Sequence, residues 1–331
     1  TASVTTTSMP ARANGKFPEA GQLVVDPSDP DHIAVLATFG ILVSRDGGAT
    51  FDWICEEAAG YLDYEPVLAV ADQVRLLVAL TEGVNLSDDG CSWSPAQGAI
   101  ADQFVVDLSV SQSDPQRVVA LSYDADTVTT RFWLSDDAGE SFVEVGEPLP
   151  PELVGLTLDI APSDPDRVYI SGVLGIQALD GVLLRATISE GSWQTIDIPG
   201  SEQADAPYIG AVDPTDAAVV YVRLAGEQGK LLVSRDAGDS WDEAVTINGF
   251  MRGLALSPDG SQILIGGESD GVLRADVPPG GDPWAFATVN DFVPLCLTWS
   301  DAAAFACGHI ALSEGYAVAR STDAGDTFDE R

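Results

Sequence analysis

The sequence predicts an all-β fold, a seven-bladed β-propeller with four-stranded antiparallel blades. Three observations carry this. A motif of the form S-x-D-x-G-x-[ST]-[FW] recurs in phase along the chain, at intervals near 46 residues. Each interval holds four short β-rich runs separated by tight turns. The 32 Gly and 20 Pro are spread along all 331 residues, leaving few windows long enough for a helix.

Full copies of the motif are Ser44–Phe51, Ser135–Phe142, Ser234–Trp241 and Ser321–Phe328, with a copy one residue shorter at Ser87–Trp93. The intervals Ser135 to Ser234 and Ser234 to Ser321 are double. They place degenerate copies at Arg185–Trp193 and Arg274–Trp284, which makes seven units. A glycine precedes the strand before most copies, as at Gly40, Gly83, Gly229 and Gly271. Upstream turns share Ser-Asp-Pro chemistry at 26–31, 113–118, 163–168 and 213–216. Asp bonds its own backbone there and Pro fixes φ. In the first unit the expected strands are Gln22–Asp26, Ile33–Ala37, Ile41–Ser44 and Phe51–Cys55. The motif falls in the turn between third and fourth strands. Its Ser and Asp are suited to capping backbone N–H groups, and its Gly to backbone angles other residues avoid. The terminal aromatic packs between strands.

Residues 20–331 are expected to form one domain, with 1–19 as an N-terminal segment. The chain stops soon after the seventh motif, so the last outer strand is barely present. The β-branched run Ala2–Ser8 is expected to pair with the seventh blade and close the ring. The competing reading makes it a flexible linker.

The 52 acids against 15 bases give a net charge of −37. That argues against nucleic acid and anionic membrane surfaces as partners. No apolar run is long enough for a membrane-spanning helix, so membrane insertion is not expected. No phosphate loop, nucleophile elbow or HExxH motif is present, and no cofactor is expected. His32 and His309 stand alone in sequence, and the acidic turns lack calcium-loop spacing, so no metal site is expected. The chain is read as a monomer.

The four cysteines suggest two local bridges. Cys296 and Cys307 flank a hairpin that turns at Asp301-Ala302, which sets them opposite one another. Cys55 follows the first motif and Cys91 lies within the second, so a Cys55–Cys91 bridge between adjacent blades is expected. Disulfides imply a secreted, periplasmic or cell-surface protein. The alternative is four buried thiols.

Propeller ligands meet the face where innermost strands begin. The loops feeding that face bring acids and aromatics together: Asp63, Tyr64, Glu65, Gln103, Phe104, Asp205, Tyr208, Arg252, Asp291 and Phe292. Aromatics beside carboxylates suit a glycan, a cationic peptide or a polyamine, and the ligand is read as a glycan, peptide or protein. The competing reading has the aromatics packing blades and the acids solvating loops.

The repeat resembles the Asp-box (BNR) repeat of sialidases, sortilin-type receptors, xyloglucanases and photosystem II assembly factors. The resemblance covers about residues 20 to 331. It implies a seven-bladed propeller whose box residues Asp46, Asp89, Asp137, Asp236 and Asp323 are structural, sitting at the rim away from the ligand face. Sialidases of this type carry an arginine triad; here only Arg252, and less well Arg223, start or adjoin an innermost strand. The reading is therefore a non-catalytic binding module, with catalytic residues none. The alternative is a glycoside hydrolase using two carboxylates among Asp63, Glu65, Asp102, Asp205 and Asp291.

Overall fold

The computed structural model describes residues 19–62, 64–175, 179–201, 205–280, 282–309 and 317–330. Seven antiparallel sheets follow one another in chain order, as the repeat predicts. Their innermost strands are Ala20–Asp26, Leu68–Ala71, Val105–Val110, Leu153–Ala161, Ala206–Val212, Met251–Leu256 and Cys296–Trp299. In blade 1 the remaining strands are Asp29–Ala37, Gly40–Ser44 and Asp52–Ile54. Two features were not foreseen. A single helical turn, Glu56–Ala59, leads from blade 1 to blade 2. A two-residue strand, Gln97–Gly98, pairs in parallel with Ser141–Phe142 on the outer edge of blade 3. Gly98 has φ +97°, and a Cβ there would lie 2.2 Å from the Phe142 carbonyl oxygen, so only glycine fits.

The core is a ring rather than a single centre. Seven apolar clusters occur, one at each blade interface. One blade cannot cover both its faces, so each depends on two neighbours. The interface of blades 2 and 3 buries Trp133 completely, on the third strand of blade 3. Its indole N–H donates to Ser122 Oγ at 2.9 Å. Blades 7 and 1 meet through Ala20, Leu23, Ile33, Val35, Phe305 and Val318. There the Ala20 N–H donates to the Gly308 carbonyl, and Glu19 Oε2 lies 2.7 Å from His309 Nδ1. The fourth strand of blade 7 is Asp329–Glu330, from the C-terminal end. The expected ring-closing run Ala2–Ser8 lies outside the described residues.

The repeated turns saturate themselves. In blade 1 the Thr50 N–H and Oγ1–H donate to the two Asp46 carboxylate oxygens at 2.8 and 2.7 Å. Ser44 Oγ donates to Asp46 and accepts from the Gly48 N–H. The same set recurs around Asp137, Asp236 and Asp323, and in shortened form around Asp89. These donated bonds hold Asp46, Asp89, Asp236 and Asp323 below the ordinary carboxylate range.

Cys296 and Cys307 are directly opposed in register and joined by a disulfide. The expected Cys55–Cys91 bridge is absent: both are free thiols. Cys55 turns into the helix at its N-cap position, with its thiol toward Glu56, while Cys91 is exposed in the shortened turn of blade 2. Blade 7 has the shortest set of strands, so its one covalent tie matters. Reducing Cys296–Cys307, or Cys307→Ser paired with Cys296→Ser, is expected to lower stability by about 2–3 kcal/mol. Urea unfolding with and without reductant measures this; an unchanged midpoint would remove the bond from the account.

Candidate functional site

Two faces of the ring differ in chemistry. The turn face carries the self-saturated motif turns. The mouth face carries the loops that feed the innermost strands, together with the turns between second and third strands. On four innermost strands a bulge recurs at one register position, between Ala20 and Gln22, Val105 and Asp107, Gly155 and Thr157, and Met251 and Gly253, while blade 5 has its bulge two residues further along, between Ile209 and Ala211. Bulges re-aim side chains. Arg252 is the extra residue in blade 6, and it is exposed.

In blades 1, 3 and 4 the side chain of the residue after the bulge binds the next blade. Gln22 exchanges hydrogen bonds with the Leu68 backbone, at 2.9 Å each way. Asp107 accepts from the Leu158 N–H at 2.7 Å, and Thr157 Oγ1 accepts from the Ile209 N–H at 2.9 Å. Ser109 bridges the same gap, donating to Asp159 and accepting from the Ile160 N–H. Asp107 and Asp159 thus lie on adjacent innermost strands, half-buried at the seam of blades 3 and 4. Burial pushes Asp107 up to about 8, against the bond from Leu158, and the Asp159 charge adds to the rise. Burial pushes Asp159 up to about 7, against the bond from Ser109. Sequence reading missed this pair. The available signal was an acid inside an apolar strand run, Val-Val-Asp-Leu at 105–108 and Leu-Asp-Ile at 158–160.

The residues expected at the mouth separate into three kinds. Some serve the scaffold. Phe292 is buried at the interface of blades 6 and 7, edge-on to Phe328 at 5.1 Å, rather than presented on the face. Tyr64 is half-buried against Tyr61, and its hydroxyl accepts from the Thr81 N–H at 3.3 Å. Gln103 is half-buried, its N–H donating to the Ile100 carbonyl, and Asp205 lies against Gly226. Others are presented to solvent. Phe104 is 46% exposed, Glu65 lies beside Gly21 of the first innermost strand, and Asp291 is exposed in a shallow depression with Thr288–Asn290. Asp63 lies outside the described residues.

The third kind is a cluster between blades 5 and 6. The Arg223 guanidinium sits 5.3 Å over the Tyr208 ring, and Arg252 sits 5.4 Å over Phe250. Arg252 pairs with Glu268 at 3.3 Å. Phe250 is 44% exposed. Cross-strand register sets Tyr208 opposite Arg223, which places both on the sheet face toward blade 6. Arg223 links the two blades, stacking on Tyr208 and donating to the Arg252 carbonyl, while Glu268 enters from a loop that carried no sequence signal.

His32 is buried 3.7 Å from Asp26. Among the described residues, no group of three His, Cys, Asp or Glu could hold a metal, and no helix is long and apolar enough to cross a membrane.

No protein-family model matches the chain, and no curated protein matches it in sequence. Solved structures do resemble it. A structure of an ancestral GH74 enzyme superposes with TM-score 0.71 at 14% identity, covering 98% of this chain and 47% of that one. The GH74 xyloglucanase from Xanthomonas campestris gives 0.60 at 18% identity, covering 94% and 60%. The hydrazine synthase of Kuenenia stuttgartiensis gives 0.68 at 12% identity, covering 96% and 100%. The chain therefore spans less than two thirds of either GH74 protein. Identities this low establish the propeller fold and no particular activity.

Proposed function

We propose that this chain is an Asp-box propeller acting as a monomeric, non-catalytic binding module outside the cytoplasm. Its ligand is a glycan, peptide or protein held at the mouth face. The observation that carries this reading is the contrast between the two faces. The motif aspartates of the turn face are taken up by hydrogen bonds from their own turns. The mouth face leaves Phe104 and Phe250 exposed, with Arg252 and Glu268 beside the second. Exposed aromatics next to fixed charges are the usual makings of a recognition surface. The Cys296–Cys307 bond supports a secreted, periplasmic or cell-surface setting.

A second reading is favoured by one observation, the resemblance to GH74 enzymes. In that case the chain would contribute a glycoside hydrolase propeller, with a carboxylate pair at its mouth.

Glycan and peptide arrays probed with the purified protein separate the two. Saturable binding is expected that drops about fivefold or more in Phe250→Ala, a loss above about 1 kcal/mol. Fluorogenic glycosides are expected to stay intact. Turnover abolished by replacing a mouth-face carboxylate would establish the hydrolase instead.

A further inference from the structure

We infer that blades 5 and 6 hold between them a site for a carboxylate-bearing ligand, gripped by Arg223 and Arg252.

Five other arginines share one arrangement, each reaching from its own blade to backbone carbonyls of the next. Arg75 reaches Asp137 and Ala138, Arg117 reaches Pro165, and Arg185 reaches Ala237. Arg235 reaches Pro278, and Arg274 reaches Ala324. Each also has a carboxylate: Asp88, Asp136, Asp239, Asp242 and Asp326 respectively, at 2.6 to 3.4 Å. Carbonyls satisfy the hydrogen-bond donors, and the carboxylate balances the charge.

Arg223 makes the first half of this arrangement without the second. Its Nη1 donates to the Met251 carbonyl at 2.8 Å and to the Arg252 carbonyl at 3.4 Å. No carboxylate pairs with it among the described residues; a second guanidinium, Arg252, acts on it instead. Burial lowers the pKa of Arg223, against a rise from Tyr208, and the Arg252 charge adds to the lowering. Its Nε and Nη2 have no hydrogen-bond partner among the described residues, and the side chain is half-buried rather than sealed. Arg252 is 43% exposed and has Glu268 as its only ion pair among the described residues. Among the described residues two cations therefore face one carboxylate, in a protein of net charge −37. A buried cation without a counter-charge is costly unless a ligand supplies one.

The chemistry of that ligand follows. One surplus positive charge matches one negative charge. A dianionic phosphate would meet the same surplus while being repelled more strongly by the surrounding acids. The planar fork of a guanidinium matches the planar carboxylate. The exposed Phe250 ring beside Arg252 offers an apolar wall for the body of the molecule. This inference rests on the binding-face reading above and assigns its chemistry.

The test is calorimetric titration with benzoate, the neutral analogue benzyl alcohol, and inorganic phosphate. Benzoate is expected to bind saturably, and benzyl alcohol at least about tenfold more weakly. Arg223→Met and Arg252→Met are each expected to weaken benzoate about tenfold or more, the scale of a charged hydrogen bond. Arg185→Met, on the turn face, is expected to leave it unchanged. Arg252 is exposed, so its variant carries the test if Arg223→Met fails to fold. Equal binding of benzoate and benzyl alcohol, tighter binding of phosphate, or full retention of benzoate by folded Arg252→Met would overturn the inference. Array ligands that bind independently of both arginines would leave the binding-module reading standing while the carboxylate site fell. Arginine-dependent benzoate binding with a blank array would do the reverse.

Discussion

Trp133→Ala is expected to destabilise the protein by about 3–5 kcal/mol, the cost of emptying a fully buried large aromatic site. Trp133 fills the interface of blades 2 and 3 with Phe142, Leu77 and Val118 around it. Collapse of the void is resisted from both sides, because each neighbouring sheet is pinned by its own next neighbour. The mutation also strips the buried Ser122 hydroxyl of the indole N–H it accepts from. Trp133→Phe keeps most of the volume and loses the hydrogen bond, so its expected cost is smaller, about 1–2 kcal/mol. Urea denaturation of the three proteins measures both. Equal stabilities for the parent and Trp133→Ala would mean that the interfaces do not hold the ring.

The second large effect is on pH. Asp107 and Asp159 are raised by burial to about 8 and about 7 in the folded protein. An unfolded aspartate ionises near 3.9. Between these values the folded state holds protons that the unfolded state has released. The pair's contribution to stability is therefore fully present below the unfolded value. It is lost as pH rises to and through the folded values, and the loss levels off above about 8. A tenfold difference in proton affinity between the two states corresponds to about 1.4 kcal/mol. The two groups titrate as a pair, so a loss on the order of several kcal/mol is expected. The motif aspartates act on the other side. Asp46 and Asp89 are lowered by hydrogen bonds from Thr50 and Ser92, and Asp89 lies at about 2. Their contribution is present above the unfolded pKa and is lost as pH falls through the folded values. A thermal-stability profile should therefore peak in mild acid. Asp107→Asn with Asp159→Asn should flatten its alkaline limb. A limb that rises toward pH 8, or keeps its slope in the double variant, would contradict the buried-pair account.

The blades were legible because their determinants are local. A serine, an aspartate and a threonine within seven residues make one turn, and that turn recurs wherever the three recur. Cys296 and Cys307 were legible for the same reason, through a two-residue turn that fixes register. Cys55 was not, because a single helical turn after blade 1 redirects it. Phe104 and Phe292 occupy similar loops in sequence, yet one is exposed and the other is core. The difference lies in Phe328, a partner far along the chain. Arg223, Asp107 and Asp159 gain their character from the neighbouring blade, which no local window contains.

The interface of blades 7 and 1 joins residues made early in synthesis to residues made late. Six interfaces can zip up between sequence neighbours as the chain emerges. The seventh must wait, its first half exposing Leu23, Ile33 and Val35 until Phe305 and Val318 arrive. That interval is when a newly made molecule is most open to being captured by a chaperone or by another copy. The Glu19–His309 pair and the Ala20-to-Gly308 bond act as the latch that ends it.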